Sequence, residues 1–140
     1  MAELRVELPS VVCVLDSSEA CDAIEAPDGV TLLRVAPREV ILVGPDDLSG
    51  VPASTGPRAW VEDVSDAWVA LVLDGADAPA AFARVCELEL PTEGWIQGEV
   101  ARAPAKVLIV GDQVTIFVPA MLAAHAEERI RLDAAEVLGS

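Results

Sequence analysis

The stretch that decides the fold is VEDVSDAWVALVLDGADAPAAFARVCELELP, residues 61–91. Within it, residues 68–73 form a mainly large apolar and β-branched run of strand length. The run ends at Asp74 and Gly75, a pair that disfavours extended structure. The stretch therefore predicts a strand followed by a sharp turn.

A helix is predicted directly after this turn. Asp77 can cap it, and Pro79 then falls in the first turn, where an amide hydrogen would have no helical partner. Phe82, Val85 and Cys86 recur at helical spacing, so we expect them to face the preceding strand. The stretch contains no reactive constellation, and we therefore expect the function to lie in what the chain docks to.

The composition predicts a single acidic domain over residues 1–140. At 53% hydrophobic residues, the chain has ample material for a core. Its 24 acidic and 9 basic residues give a formal net charge of -15. A field of that sign repels phosphate groups, so neither nucleic acid nor an anionic membrane surface is expected as a partner. We interpret the acidity as a solubility feature, and an acidic docking patch is the open alternative.

The protein is expected to be cytoplasmic. Residues 1–5, MAELR, pass straight into mixed sequence without the apolar segment of a secretory signal. No apolar run approaches the roughly 20 residues that span a bilayer. The sequence thus predicts a protein that does not insert into membranes.

Further strands are predicted where β-branched and apolar runs are bounded by Gly, Pro, Asp or Ser. The clearest signal is a hairpin that joins residues 105–110 to 113–118 through Gly111 and Asp112, a two-residue turn with Gly first. The other predicted strands cover residues 10–15, 30–35, 39–43, 60–64 and 95–102, with a hairpin joining 30–35 to 39–43 and a surface loop over 44–57.

Two further helices complete the prediction. Asp16 and Glu19 have the spacing of a capping box for a short helix that ends near Ile24. The last helix is predicted to open at Pro119 and to run to about Ala135. Its inner stripe is Leu122, Ala126 and Ile130, and its outer ion pair is Glu127 with Arg131. This order predicts the α+β class, with an antiparallel sheet covered by helices on one face in the ferredoxin-like manner.

The residues that most often perform chemistry are sparse. His125 is the only histidine, and we expect a solvated helix position for it, with general-base catalysis as the open alternative. The three cysteines lack the spacing of a disulfide framework or a metal site, and we expect buried, unreactive thiols. These are Cys13, Cys21 and Cys86.

Four aspartates crowd the turns around the central stretch, namely Asp63, Asp66, Asp74 and Asp77. They could bind a cation or an amine, but their spacing matches no calcium loop. We therefore expect them to act in turns and helix caps. No pair of glycines is placed as a dinucleotide-binding loop requires.

Four segments carry a resemblance to a known family. Residues 44–48, GPDDL, follow a strand and are similar to a Gly-Pro-Asp-Glu-Trp-Leu segment, and residues 62–66, EDVSD, match Asp-Val-Ser-Asp. Residues 73–78, LDGADA, resemble a Ser-Gly-Pro-Asp-Ala turn, and residues 86–91, CELELP, resemble a Cys-x-x-Asp-Leu segment. The chain thereby resembles the gamma subunit family of heterotetrameric sarcosine oxidase, most strongly over residues 40–130. It is more distantly similar to the folate-binding domain of glycine-cleavage aminomethyltransferases.

The resemblance implies a non-catalytic accessory subunit of a complex that oxidatively demethylates a secondary N-methyl amine. It places FAD, FMN, NAD and tetrahydrofolate on partner chains and no cofactor on this one. The implied partners are larger flavoprotein subunits, and self-association in isolation is left open. An aminomethyltransferase-like fold is implied as well, but no folate-binding residue is transferred by motif.

The candidate interface residues are Trp60, Trp95, Asp46 and Asp47. Tryptophan often anchors interfaces when exposed, and a buried core role is the open alternative for each tryptophan. Two other functions stay open at this stage. One is a stand-alone tetrahydrofolate-binding or aminomethyltransferase-like protein, and the other is a small regulatory module that binds an amino acid.

Overall fold

The computed structural model describes residues 1–44 and 58–139, and they form two compact units. Unit one comprises Met1–Leu8 and Ala67–Ser140, and unit two comprises Pro9–Asp66. The single domain expected over residues 1–140 stays a prediction. Apart from Gly44, the surface loop predicted over 44–57 lies outside the described residues.

The described residues contain two antiparallel sheets and few helices, which confirms the predicted α+β class. In chain order the elements are β1 (Glu3–Glu7), β2 (Ser10–Leu15), α1 (Ser18–Asp22), β3 (Thr31–Ala36), β4 (Glu39–Gly44), β5 (Trp60–Asp63), β6 (Trp68–Asp74), α2 (Ala78–Ala83), β7 (Gly94–Val100), β8 (Ala103–Val110), β9 (Gln113–Pro119) and α3 (Ala123–Asp133). Two short 3-10 turns occupy Ser65–Ala67 and Ala120–Leu122.

Unit one is built on a five-stranded sheet in the order β1-β6-β9-β8-β7. Both α2 and α3 contact the central strands β6 and β9. The core joins alternate residues of the sheet, such as Leu71 and Ile116, to Phe82 of α2 and Ile130 of α3. The predicted strand, turn and helix of residues 68–83 are confirmed, and the helices cover one face of this sheet as expected.

Unit two is built on a four-stranded sheet in the order β3-β4-β2-β5. Val14 and Val40 lie opposite each other on β2 and β4, and both are fully buried. They pack with Cys21 and Ile24, which places α1 and the residues after it on that face of the sheet. The sequence prediction described one sheet, whereas residues 1–44 and 58–139 form two.

Both predicted hairpins are confirmed. β3 pairs with β4 around Pro37 and Arg38, with a bulge between Arg34 and Ala36. β8 pairs with β9 around Gly111 and Asp112. Gly111 has a φ of 56°, which glycine adopts without the steric conflict of a Cβ atom.

The predicted cap of α1 is wrong, and the predicted cap of α2 holds its position without a side-chain capping bond. The cap of α1 is Ser17, whose hydroxyl accepts a hydrogen bond from the Ala20 amide at 3.1 Å. Asp16 instead accepts a hydrogen bond at 2.7 Å from the amide of Ser17, the next residue along the chain. Asp77 occupies the cap position of α2 but makes no side-chain capping bond.

Two element boundaries also differ from the prediction. The strand expected over 95–102 ends at Val100, and Ala101 and Arg102 form the turn into β8. The last helix begins at Ala123 rather than at Pro119, because Pro119 still pairs with Trp68 at the end of β9.

The sequence prediction missed β1, the edge strand of unit one. It pairs antiparallel with β6, and Arg5 Nη1 lies 2.9 Å from Asp74 Oδ2 across this pairing. The hydrogen bond from Arg5 lowers the pKa of Asp74 below its usual range. Alternating polar and apolar residues in 3–7 were a signal for this strand.

The final helix α3 has the predicted faces. Ala126 and Ile130 are fully buried, and Leu122 just before the helix packs against them. Arg131 Nη2 lies 3.1 Å from Glu127 Oε2 on the outer face, as predicted. Among the described residues, no helix combines the length and apolar character that crossing a bilayer requires.

Gly98 on β7 allows a test of how closely Leu88 packs against this strand. A Cβ atom at this position would overlap Cδ1 of Leu88, whose side chain is 41% exposed. We expect Gly98→Ala to lower the free energy of unfolding by only about 0.5–1.5 kcal/mol, the cost of moving the partly exposed Leu88 side chain out of its preferred rotamer, as measured by urea denaturation. In a Leu88→Ala background the same change should be neutral or stabilising. An equal loss in both backgrounds would contradict the contact.

Candidate functional site

Trp60 lies at the start of β5, an edge strand of the unit two sheet, and is 63% exposed. Its indole Nε1 donates a hydrogen bond of 3.4 Å to Glu62 Oε2 on the same strand. Leu15 lies directly opposite Trp60 on β2 and is 41% exposed. Two large apolar side chains thus stand side by side on the surface of this unit.

An open cavity of about 550 Å³ adjoins these two side chains. We call it the Trp60 surface, and it is lined by Leu15, Asp16, Ser17, Arg38, Arg58 and Trp60. It holds two arginines against one carboxylate in a chain whose net charge is -15. Tryptophan and arginine are the side chains most enriched at protein interface hot spots.

Two hydrogen bonds connect Asp16 and Arg38 on the rim of the Trp60 surface. The Asp16 amide donates to the Arg38 carbonyl at 3.2 Å. In return, Arg38 Nε donates to the Asp16 carbonyl at 3.3 Å. These contacts link the end of β2 to the β3–β4 turn, so the positions of Asp16 and Arg38 on the rim are fixed relative to each other.

Trp95, another candidate interface residue, lies in the other unit. Trp95 belongs to unit one, where it is half-buried on the edge strand β7 opposite Leu108. Asp46 and Asp47 lie outside the described residues. All four candidates stay predictions as interface residues.

The residues considered for chemistry take mainly structural positions. His125 is exposed on α3, while Cys21 and Cys86 are buried as expected and Cys13 is only half-buried. Within residues 1–44 and 58–139, no group of three or more His, Cys, Asp or Glu side chains is placed to hold a metal ion.

Asp63 performs the turn role that the sequence predicted. Its Oδ1 accepts hydrogen bonds from the Ser65 hydroxyl at 2.6 Å and from the Ser65 amide at 2.9 Å. The hydroxyl bond first, and then the amide bond, lower the pKa of Asp63. Ser65 also accepts a 2.8 Å hydrogen bond from the Val11 amide, so one serine connects two strands.

A second open cavity, of about 690 Å³, lies in unit one and was not predicted. Three elements meet there: the end of α2, the β7–β8 turn and the second half of α3. We call it the arginine cavity. Its charged lining residues are Arg84, Arg102, Arg129, Glu87, Glu99 and Asp133.

The β7–β8 turn beside this cavity is strained. Ala101 has a φ of 49° and Arg102 a φ of 66°, both in the left-handed region. Two-residue hairpin turns with this backbone normally contain Asn or Gly, because a Cβ atom is disfavoured there. The Ala101 amide donates to the Val85 carbonyl at 3.0 Å, which ties the turn to the segment after α2.

Sequence reasoning missed the arginine cavity because its residues are spread from Ala83 to Asp133. Ala101 and Arg102 carry no turn signal, so their position at a tight turn was hidden.

Comparison with solved structures places this fold among known ones. The chain matches a chain of heterotetrameric sarcosine oxidase from Corynebacterium sp. U-96, solved in complex with pyrrole 2-carboxylate. The TM-score is 0.84 over 99% of this chain and 86% of that chain, at 17% sequence identity. The two chains share one fold. The resemblance stated from the sequence is thereby confirmed at the level of the fold.

Two regulatory parts of aspartate kinases are similar to a lesser degree. The C-terminal regulatory domain from Porphyromonas gingivalis W83 has a TM-score of 0.49 at 14% identity, over 96% of this chain and 97% of that one. The regulatory subunit from Thermus thermophilus has a TM-score of 0.47 at 14% identity, over 93% and 95%. No protein-family model and no curated protein sequence matches the chain.

The hydrogen bonds at Asp63 predict a measurable titration. We expect Ser65→Ala to raise the pKa of Asp63 toward its ordinary value, because the strongest donor to the carboxylate is removed. The readout is an NMR titration of the Asp63 carboxyl carbon. Ser65→Thr keeps the hydroxyl and should keep the low pKa.

The lowered pKa of Asp63 also makes the stability of the fold depend on pH. A lowered folded-state pKa stabilises the fold above the unfolded pKa, and this contribution is lost as the pH falls through the folded pKa. An unchanged Asp63 pKa in Ser65→Ala would show that the hydroxyl bond is not the cause.

The strained turn predicts a stabilising substitution. Arg102→Gly should raise the free energy of unfolding by about 1 kcal/mol, because glycine adopts a positive φ without a Cβ conflict. Urea denaturation measures the change. Ala101→Gly should gain less, since the Ala101 methyl group belongs to the core. A destabilised Arg102→Gly variant would mean that the turn is not strained at this residue.

Proposed function

We propose that this chain is a non-catalytic accessory subunit of a heteromeric sarcosine oxidase-type complex. The complex would oxidatively demethylate a secondary N-methyl amine. The observation that carries the proposal is the fold shared with a chain of heterotetrameric sarcosine oxidase over 99% of this chain. The four sequence segments that resemble the gamma subunit family support the same assignment, and they are independent of the fold comparison.

The partners in this proposal are larger flavoprotein subunits in the cytoplasm. FAD, FMN, NAD and tetrahydrofolate would be bound by those subunits, and this chain would hold none of them. Its role would be to support the assembly through surface contacts. A subunit of this kind needs an exposed anchor and a polar rim rather than a catalytic cleft.

The Trp60 surface is the docking surface that we propose for a flavoprotein subunit. Trp60 and Leu15 supply exposed apolar area at its centre, and Arg38 and Arg58 supply charge at its edge. Arginine pairs with carboxylates in a fixed planar geometry, so the complementary patch on the partner should be apolar with acidic residues around it. The two arginines of the Trp60 surface distinguish it from the rest of this chain, in which acidic residues outnumber basic ones.

Co-purification tests the proposal. The tagged chain, expressed in its own organism, should recover larger chains that carry a flavin absorption spectrum. Trp60→Ala should reduce the recovered flavoprotein by at least about tenfold, as expected for truncation of an interface hot spot. Mass spectrometry and flavin absorbance measure the outcome.

Leu132→Ala is the matched control, because Leu132 is 65% exposed on α3 in unit one. It should leave the recovered flavoprotein unchanged. A chain that purifies alone, or with partners that lack flavin, would contradict the assignment. Saturable binding of tetrahydrofolate by the isolated chain would favour the stand-alone folate-binding alternative in its place.

A further inference from the structure

The outer edge of β1 has a definite backbone pattern. In an edge strand of an antiparallel sheet, successive residues direct their amide and carbonyl groups alternately toward the neighbouring strand and away from it. The Ala2 amide donates to the Val137 carbonyl at 2.9 Å, and the Ala2 carbonyl accepts from the Gly139 amide at 2.7 Å. The Leu4 carbonyl accepts from Arg131 Nη2 at 3.4 Å. None of these partners belongs to β6, so the even-numbered residues at this end of the chain face outward.

Val6 is the next outward residue along β1, and its backbone groups are open. Within residues 1–44 and 58–139, no group outside the sheet donates to its carbonyl or accepts from its amide. Val6 is 46% exposed, and Leu8 is 82% exposed. We call the outward side of residues 4–8 the Val6 edge. Open backbone groups beside exposed apolar side chains form a template for a further strand.

We propose that the Val6 edge binds the same edge of a second copy of this chain, in an antiparallel pairing with a twofold axis at Val6. The amide of each Val6 donates to the carbonyl of the other Val6. Leu4 then lies opposite Leu8 of the second copy, and Arg5 lies opposite Glu7 of the second copy. This inference does not rest on the proposed function, because it uses a different surface and a different partner.

Charge selects this register among those that the backbone allows. Outward residues must pair with outward residues, so one strand can shift along the other only in steps of two. A twofold axis at Arg5 places the two arginines opposite each other, and an axis at Glu7 does the same with the two glutamates. Like charges directly opposite each other are destabilising, whereas opposite charges attract. The axis at Val6 avoids both repulsions and forms two Arg5–Glu7 pairs between the copies.

Arg5 has a donor free for the second copy. Its Nε donates to Glu7 Oε1 at 2.7 Å, and its Nη1 donates to Asp74 Oδ2 at 2.9 Å. In the part of the chain that the structure describes, no group accepts from Arg5 Nη2. A guanidinium has five N–H donors, and side chains approach most closely in strand pairs that exchange no backbone hydrogen bonds. Arg5 and Glu7 of the second copy form such a pair.

Two features keep the association weak. Arg131 already donates to the Leu4 carbonyl, so the fully open part of the edge is short. Each copy also carries a net charge of -15, and the two copies therefore repel each other at long range. Small interfaces are typical of transient complexes, so we expect a dissociation constant on the order of 100 µM. Added salt screens the repulsion and should lower this constant.

Sedimentation equilibrium of the whole chain tests this inference, in a buffer with enough salt to screen the net charge. We expect the average mass to rise with protein concentration from 14.7 kDa toward twice that value. Amide hydrogen exchange gives a readout at single residues. The Val6 amide should exchange more slowly as the concentration rises, because it becomes a hydrogen-bond donor between the two copies.

Val6→Lys tests the centre of the interface. It places two ammonium groups directly opposite each other at the twofold axis, so the dissociation constant should rise by at least about tenfold. Val110→Lys is the matched control, because Val110 is 55% exposed at the end of the interior strand β8 and gains the same charge. It should not raise the dissociation constant. Both variants should keep the circular dichroism spectrum of the parent chain.

A charge exchange tests the register. Glu7→Arg alone and Arg5→Glu alone each place like charges opposite each other between the copies, so each should weaken self-association by at least about tenfold. An equimolar mixture of the two variants should associate again, because every cross-strand pair then joins an arginine to a glutamate. Circular dichroism shows whether each variant is folded before the two are mixed.

Three outcomes would overturn the inference. One is a chain that stays monomeric up to about 1 mM in high salt, which would leave the Val6 edge to a different partner. Another is a dimer that forms without slower exchange at Val6, or that Trp60→Ala disrupts, since either result would place the interface elsewhere. The last is a mixture of folded charge variants that stays monomeric. None of these outcomes bears on whether the chain co-purifies with a flavoprotein.

Discussion

The antiparallel register between β6 and β9 is the constraint on which unit one depends. Leu71 lies opposite Ile116, and Leu73 lies opposite Val114, so four apolar side chains share the face that the helices cover. If β9 slipped by one residue along β6, the side chains that now face away from the helices would face them instead. Because α2 and α3 both contact these two strands, the register also determines where the helices can pack.

The arginine cavity follows from the same pairing pattern, extended to the edge of the sheet. Val100 pairs with Ala103, which leaves only Ala101 and Arg102 to reverse the chain. A two-residue reversal of this kind requires positive φ values, so the strain at the turn comes from strand pairing. The same turn places Arg102 beside side chains from α2 and α3. The cavity is thus a feature of the unit that has no local sequence signal.

The predictable parts of the fold were those with local signals. The β8–β9 hairpin was predicted because two β-rich runs flank Gly111 and Asp112, and its register depends on that turn. The edge strand β1 was missed because a run of only five alternating residues becomes a strand only through pairing with β6. The cap of α1 was placed one residue early because Asp16 and Ser17 are both good capping residues, and the backbone conformation selects between them.

For this protein, the sequence by itself determined the fold class, the two hairpins, the acidic character and Trp60 as an interface candidate. Only the tertiary structure decided that Leu15, Arg38 and Arg58 accompany Trp60, and that three arginines from distant segments line one cavity. The physical reason is that turns and strand runs depend on neighbouring residues along the chain. Exposure and charge pairing depend instead on residues that are far apart in sequence and meet only when strands pair and helices pack.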